Sequence, residues 1–339
     1  MVGEVWFLSS FRVGLTVVGL LAGSSSAWAA GVPVCRLQQF GEMDVSITAG
    51  GMTVQAQING EPVRLILDTG SEDTILYRST AEHLGLKWKS GGRATLYGVA
   101  GSTTLGEARL KDFSVAGATI HDFDIPVAGR IHDPSAQGVL GARFLLQADM
   151  EFDLAHGKVR FLKPKDCSGD QVVYWGGTYA MTPMLEAHDR KAIEVRVLVN
   201  GRPVRALMDS GADLSTLTST AAARVGVKAG SPDLLTGQGA EGFAGVRLTS
   251  RAKIFPSFSF GDETIKNARI EIADLLTVDE EVPIGSIVPQ AVIDFPEMLL
   301  GTDFFRSHCV YVAMSQRKVY ASYIGGPVFK IRDTRPDVK

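Results

Sequence analysis

Two aspartates carry the first chemical signal in this 339-residue chain. Asp68 closes the apolar run "VRLIL" and is followed by Thr69 and Gly70; Asp209 closes "VRALM" and is followed by Ser210 and Gly211. A charge at the end of a strand inside a core is costly unless it is paired or neutralised. One Asp-Thr-Gly alone reads as a turn, because Asp and Gly are both common turn residues. Two of them, each after an apolar strand, point to two carboxylates brought face to face. Such a pair cannot cheaply ionise both members, so it shares a proton and its apparent pKa values belong to the pair. The ionised member can take a proton from a bridging water, while the protonated member hydrogen-bonds the group under attack.

The elements that must position these acids are written twice. "NGEPVRLILDTGS" from Asn59 matches "NGRPVRALMDSGA" from Asn200, with the aspartates 209 − 68 = 141 residues apart. The same offset carries "HLGLK" (His83–Lys87) onto "RVGVK" (Arg224–Lys228), Gly98 onto Gly239 and Gly101 onto Gly242. Further on, "VLGARFL" (Val139–Leu145) answers "LLGTDFF" (Leu299–Phe305) at 300 − 140 = 160. The second copy is therefore about 20 residues longer (160 − 141), and the acidic stretch "ADLLTVDEEVPIGS" (Ala273–Ser286) is the expected place for them. A period of this length, kept in order, is an internal duplication. Each copy reads mostly as strand: "MTVQAQING" and "AIEVRVLVNG" alternate and end in Asn-Gly turn signals. "STAEHLGLK" and "STAAARVGVK" each predict a short helical turn closed by Gly. "DMEFDLAHGKVRFL" and "CVYVAMSQRKVYAS" predict a hairpin closing each copy.

Composition sets the frame. With 45% hydrophobic and 21% charged residues the chain can bury a substantial core, and its length suggests about two domains. A net charge of −3 with no basic block argues against nucleic acid as a partner. Arg12, the apolar run Val13–Ala22 and Ala27-Trp28-Ala29 read as a secretory leader over residues 1–29; an uncleaved anchor is the alternative, although the run is short for a bilayer. The expected layout is then lobe 1 over 31–165, a linker over 166–178, lobe 2 over 179–325 and a polar, peripheral tail over 326–339, exported to a periplasmic or secreted location with no later membrane span. Cys35 and Cys167 lie near the two ends of lobe 1 and are the more natural disulfide pair; Cys309, inside "CVYVAM", reads as a buried small hydrophobe. No spacing points to a metal.

At this point the residues resemble the aspartic peptidases of the retropepsin and pepsin type. "DTGSEDT" (Asp68–Thr74) looks like the retroviral active-site segment, and Val139-Leu140-Gly141 and Leu299-Leu300-Gly301 look like the family's second signature. The resemblance implies an all-β, two-lobed acid-protease fold, with duplicated retropepsin-like β-barrel lobes around a pseudo-two-fold axis. It also implies that Thr69 and Ser210 bond across the lobe interface, with Gly70 and Gly211 allowing close approach. "LYGVAGSTTLG" (Leu96–Gly106) and "TGQGAEGFAG" (Thr236–Gly245) sit where substrate-covering flaps belong, which makes Gly98, Gly101, Gly239 and Gly242 candidate substrate-side residues; ordinary hairpin tips are the other reading. Glu72 and Asp213 share one position, where the family binds substrate main chain; a solvated acid in a turn is the alternative. Asp73 is a further candidate, and its counterpart is Leu214, so the pocket walls are expected to differ. Ser71 has Ala212 as its counterpart. A Ser71 hydroxyl donating to Asp68 would favour that carboxylate and leave Asp209 as the proton carrier.

The resemblance thus implies an aspartic endopeptidase acting on an extended peptide or protein, with Asp68 and Asp209 as its dyad, no cofactor and no metal. Because both halves lie on one chain, a monomer is expected. The rivals are a non-catalytic secreted peptide-binding protein that keeps the fold, a protease confined to one partner, and a homodimer of matching lobes.

Overall fold

The computed structural model describes residues 34–48, 51–98, 101–129, 135–186, 191–228, 230–241, 247–275 and 295–329, with backbone alone at 90–98, 101–102, 240–241 and 247. The proposed leader (1–29), Gly242 and residues 330–339 of the tail fall outside that description.

The first copy runs β1 (Arg36–Thr48), β2 (Gly51–Ile58), β3 (Glu61–Leu67), β4 (Ile75–Tyr77), α1 (Arg78–His83), β5 (Trp88–Gly98), β6 (Gly101–Val115), β7 (Ala118–Ala128), β8 (Gly138–Leu140), α2 (Ala142–Leu145), β9 (Asp149–Asp153) and β10 (Lys158–Lys165). The second runs β11 (Ala180–Pro183), β12 (Glu194–Val199), β13 (Arg202–Met208), β14 (Thr216–Thr218), α3 (Ser219–Arg224), β15 (Leu235–Thr236), β16 (Ala240–Glu241), β17 (Arg247–Leu248), β18 (Arg251–Phe260), β19 (Glu263–Ala273), β20 (Met298–Leu300), α4 (Thr302–Phe305), β21 (His308–Ala313) and β22 (Lys318–Tyr323).

In each copy six strands close on themselves. The order β2-β3-β8-β4-β7-β6 returns to β2, and β12-β13-β20-β14-β19-β18 returns to β12. The reason is local. Asn59-Gly60 and Asn200-Gly201 all have positive φ, the tight turn that the right-handed twist of a hairpin prefers, so β2–β3 and β12–β13 fold back at once. Alternate residues of β3 and β13, such as Val63, Leu65 and Leu67 or Val204 and Ala206, then fall inside. The helical turns end as the sequence predicts: Gly85 and Gly226 take positive φ, with Leu86 N–H bonding Ala81 and Val227 N–H bonding Ala222.

The late hairpins do more than close each copy. β9–β10 and β21–β22 join through an antiparallel β9–β21 pairing, giving one sheet in the order β11-β22-β21-β9-β10-β1 across both lobes. Glu151 faces Tyr311 in that pairing, and 311 − 151 = 160 is the repeat offset, so the local two-fold passes through this pair. The linker packs against the same sheet: Val172 is buried with Leu162, Tyr311 and Tyr320. The tail departs from expectation. Phe329 is buried and packs edge-on against Phe258, because an aromatic ring gains more from the lobe 2 core than from water. The extra length of copy two is also divided. Leu76 pairs with Val127 and Leu217 with Ile272, an offset already of 272 − 127 = 145, so 160 − 145 = 15 residues enter between β19 and β20.

Cys35 and Cys167 form a disulfide, S–S 2.08 Å, beside the Arg36–Lys165 end of the β1–β10 ladder. Cys309 is free and buried. Replacing both bridged cysteines by Ser is expected to lower the unfolding free energy by about 2–4 kcal/mol while the far-ultraviolet dichroism is unchanged, a difference that urea titration reads directly.

Candidate active site

Both aspartates are held by the same construction. β3 pairs in parallel with β8 and β13 with β20, and each ladder ends on a leucine. The Asp68 N–H donates to the Leu140 carbonyl (3.1 Å) and the Asp209 N–H to that of Leu300 (2.9 Å). Beyond those leucines Gly141 and Gly301 let the backbone pass beneath the loops: a Cβ on Gly141 would fall 2.2 Å from the Asp73 carbonyl oxygen, and one on Gly301 2.8 Å from that of Ala212. Thr74 and Ser215, equivalent in the repeat, accept the N–H of Gly141 (3.2 Å) and of Gly301 (2.9 Å).

The loops then lock onto one another. The Thr69 N–H donates to Ser210 Oγ and the Ser210 N–H to Thr69 Oγ1, both at 3.0 Å. Each hydroxyl in turn donates across the interface, Thr69 to the Met208 carbonyl (2.6 Å) and Ser210 to that of Leu67 (2.7 Å). Both side chains are fully buried, so four hydrogen bonds are made where none could be exchanged with water. The glycines complete the fit. A Cβ on Gly70 would lie 2.5 Å from the Asp209 carboxyl carbon, and one on Gly211 2.3 Å from that of Asp68. Each loop leaves out a side chain where the other places its carboxylate.

The carboxylates are matched in their local bonds and differ in how far the site raises each. Asp68 Oδ1 accepts the N–H of Gly70 (2.8 Å) and Ser71 (2.9 Å); Asp209 Oδ1 accepts those of Gly211 (2.9 Å) and Ala212 (3.1 Å). Burial raises both carboxyls above the usual range. The charge of Asp68 then lifts Asp209 well further, while the hydrogen bond from Asp209 helps Asp68 to ionise. Both carboxyls are thus pushed towards sharing a proton, with the larger rise at Asp209.

Comparison with known proteins follows the same division. A family model described as aspartyl protease matches residues 54–144 and 195–304. The chain belongs to the aspartyl protease family. The two matches start 195 − 54 = 141 and end 304 − 144 = 160 residues apart, the offsets of the internal repeat. No curated protein matches the sequence.

Around this family core the other predicted residues are placed less symmetrically. Ser71 contributes only its N–H to Asp68; its hydroxyl donates to the Asp73 carbonyl (3.0 Å), which corrects the expected hydroxyl-to-carboxylate bond. The loop turns so that Ser71 Oγ meets a nearer carbonyl, and the preference for a proton on Asp209 has the causes given above. Glu72 and Asp73 are both engaged by Arg143, at 2.5 and 2.7 Å. Asp213 lies against the other lobe, 3.6 Å from where a Gly51 Cβ would stand. Gly98 and Gly101 pair with each other at the end of the β5–β6 hairpin. Gly239 precedes the short β16–β17 hairpin at positive φ, and its N–H donates to Ser250 Oγ (2.9 Å). Buried Glu271 accepts from Ser250 Oγ (2.5 Å) and from the Gln238 N–H (3.1 Å), so this second loop is tied down at its base.

Two supporting residues escape a reading of motifs. Arg143 and Asp303 occupy equivalent positions, 303 − 143 = 160, two residues after each signature glycine. Asp303 is buried and accepts from the Ser215 N–H (3.0 Å), Ser215 Oγ (2.6 Å) and the Phe304 N–H (3.0 Å), directly beneath the Asp209 loop. The signal was a charged residue two places beyond an apolar-Gly signature.

Three outcomes are expected. Gly211→Ala should abolish the paired arrangement by steric overlap with Asp68 and lower the thermal midpoint, whereas Ser71→Ala should leave the acidic limb of any pH–activity profile in place. Burial raises Asp303 to about 6, so the native state binds its proton more tightly than the unfolded chain does. Stability should therefore fall by about 2 kcal/mol as pH rises from about 4 to 6.5 on account of this residue, and urea titrations at the two pH values should show Asp303→Asn losing that part of the slope.

Proposed function

We propose that the chain is an aspartic endopeptidase that hydrolyses peptide bonds of an extended substrate between its two lobes. The observation that carries this reading is the reciprocal lock that holds the carboxyls of half-buried Asp68 and buried Asp209 beside each other. In the proposed reaction Asp68, ionised, takes a proton from a water lying between the carboxyls. The oxygen of that water bonds to the scissile carbonyl carbon, while protonated Asp209 stabilises the developing oxyanion by hydrogen bonding. Collapse of the tetrahedral intermediate breaks the C–N bond as a proton passes to the leaving nitrogen, giving a new carboxyl and a new amine. The proton taken from water is the one that passes from Asp68 to the leaving nitrogen, so the pair returns to a single proton, on Asp209, and is ready for the next turn.

The flanking features support a peptide substrate. The β5–β6 hairpin with Gly98 and Gly101 at its end is the proposed flap, and Glu72, Asp73 and Asp213 are proposed to line the groove. Both aspartates come from one chain, so a monomer is sufficient for activity. A disulfide that joins the ends of lobe 1 is consistent with an oxidising compartment, in keeping with the export read from residues 1–29. No helix among the described residues is long and apolar enough to cross a membrane.

The test is cleavage of a diverse peptide library from pH 3 to 8, with a pepstatin-type inhibitor as control. Asp68→Asn and Asp209→Asn should each lower kcat/KM by about 10³-fold or more. The profile should be bell-shaped: the acidic limb follows ionisation of Asp68, the alkaline limb loss of the proton from Asp209, and both should lie above the range of an exposed Asp because both groups are raised. A correctly folded wild type that cleaves nothing would defeat the proposal in favour of peptide binding alone.

A further inference from the structure

Away from the dyad, lobe 2 carries a concentration of positive charge that lobe 1 lacks at the equivalent place. A cavity of about 450 Å3 is lined by Arg196, Arg202, Arg205 and Arg224, with Glu297 as its one carboxylate and an apolar wall that includes Val204. The lining therefore sums to 4 − 1 = +3. Lobe 1 builds the same corner from Gln55, Glu61, Arg64, His83 and Gln137, found by subtracting 141 from the four arginines and 160 from Glu297. The backbone geometry is shared: the Arg64 N–H donates to Gln137 Oε1 (2.6 Å) as the Arg205 N–H donates to Glu297 Oε2 (2.8 Å). With His neutral, the lobe 1 corner sums to zero.

Arg205 reaches buried Glu194 (3.5 Å) and Arg224 reaches Glu297, but Arg196 and Arg202 are not placed as folding alone would favour. Arg196 stands directly opposite Arg205 in the β12–β13 ladder, where lobe 1 sets Gln55 opposite Arg64. Like charges directly across a ladder destabilise it. Glu297 is committed to Arg224 and to the Arg205 N–H. Arg202 donates to the Arg224 carbonyl (2.5 Å), and among the described residues neither Arg196 nor Arg202 pairs with a carboxylate. Guanidinium groups present planar forks that match phosphoryl oxygens. A cavity of this size is in the range of small-molecule sites, roughly 300–1,000 Å3. Arg205 precedes Asp209 by four residues of extended chain, about 13 Å, so the cavity lies at the far end of β13 from the candidate active site.

We propose that this cavity is a binding site for a small phosphorylated molecule, held by Arg196 and Arg202 with Arg205 and Arg224 as the supporting charges. The proposal is independent of peptide hydrolysis. It is tested by titration calorimetry of the full chain with pyrophosphate as probe, and citrate as a carboxylate probe of comparable charge, at about 0.15 M salt to suppress loose surface attraction. The expected result is saturable one-to-one binding of pyrophosphate. Binding should weaken at least tenfold in the Arg196→Gln/Arg202→Glu double variant, which installs lobe 1's own residues and so should fold with an unchanged or higher thermal midpoint. Arg196→Gln alone, a milder change, should weaken binding severalfold and serves if the double variant does not fold. Absence of saturable pyrophosphate binding, equal affinity in the variants, or citrate binding as tight as pyrophosphate would each overturn the proposal.

Discussion

The structure turns on an absence of side chain at two positions. Gly70 and Gly211 each leave room for the opposing aspartate, and no larger residue could stand there without meeting a carboxylate. That close approach brings two acids out of water and against each other, which is unfavourable unless the loops are held rigid. The rigidity comes from the exchanged bonds of Thr69 and Ser210, from the Leu140 and Leu300 carbonyls beneath them, and from the parallel ladders that place those leucines. The two barrels and the sheet that joins them can be understood as the frame that keeps this contact in register.

On that symmetric frame the two copies have been given different environments. Lobe 1 sets Arg143 where lobe 2 sets Asp303, so one loop is flanked by an exposed ion-pair cluster and the other by a buried acid with its own hydrogen-bond set. The loop after Gln238 is anchored through Glu271 and Ser250, whereas the β5–β6 hairpin, with a register shift between Ser90 and Thr95, ends in the paired Gly98 and Gly101. Charge on the outer corner differs in the same way. A duplicated chain needs identity only at the shared contact; elsewhere each copy is free to acquire a separate task.

How much of this was legible depends on the range of the interaction. The Asn-Gly turns, the glycine-closed helical turns and the apolar strands before each aspartate are set by neighbouring residues, and they lie where the pattern predicts. Equivalence of the two copies could be read because offsets are visible without any fold. The pairing of β9 with β21 could not, since alternation says that a strand has partners but not which ones. The Ser71 hydroxyl was misassigned because two acceptors lay in reach and only the loop's turn decides between them. Phe329 was hidden because the tail reads as polar from its far end, Arg332 to Lys339; a single aromatic ring that reaches Phe258 in the core outweighs a polar average.

The central claim is that Asp68 and Asp209 hold one proton as a pair, with Asp209 its carrier. It is tested most directly by following the carboxyl carbon shifts of the two residues by NMR from pH 2 to 9, in the wild type and in Asp68→Asn. The account predicts two coupled steps, both above the ordinary range of about 3.9, with the upper step reported mainly at Asp209 and moving down when the Asp68 charge is removed. Two independent titrations near 3.9, or an Asp209 step indifferent to Asp68→Asn, would contradict it.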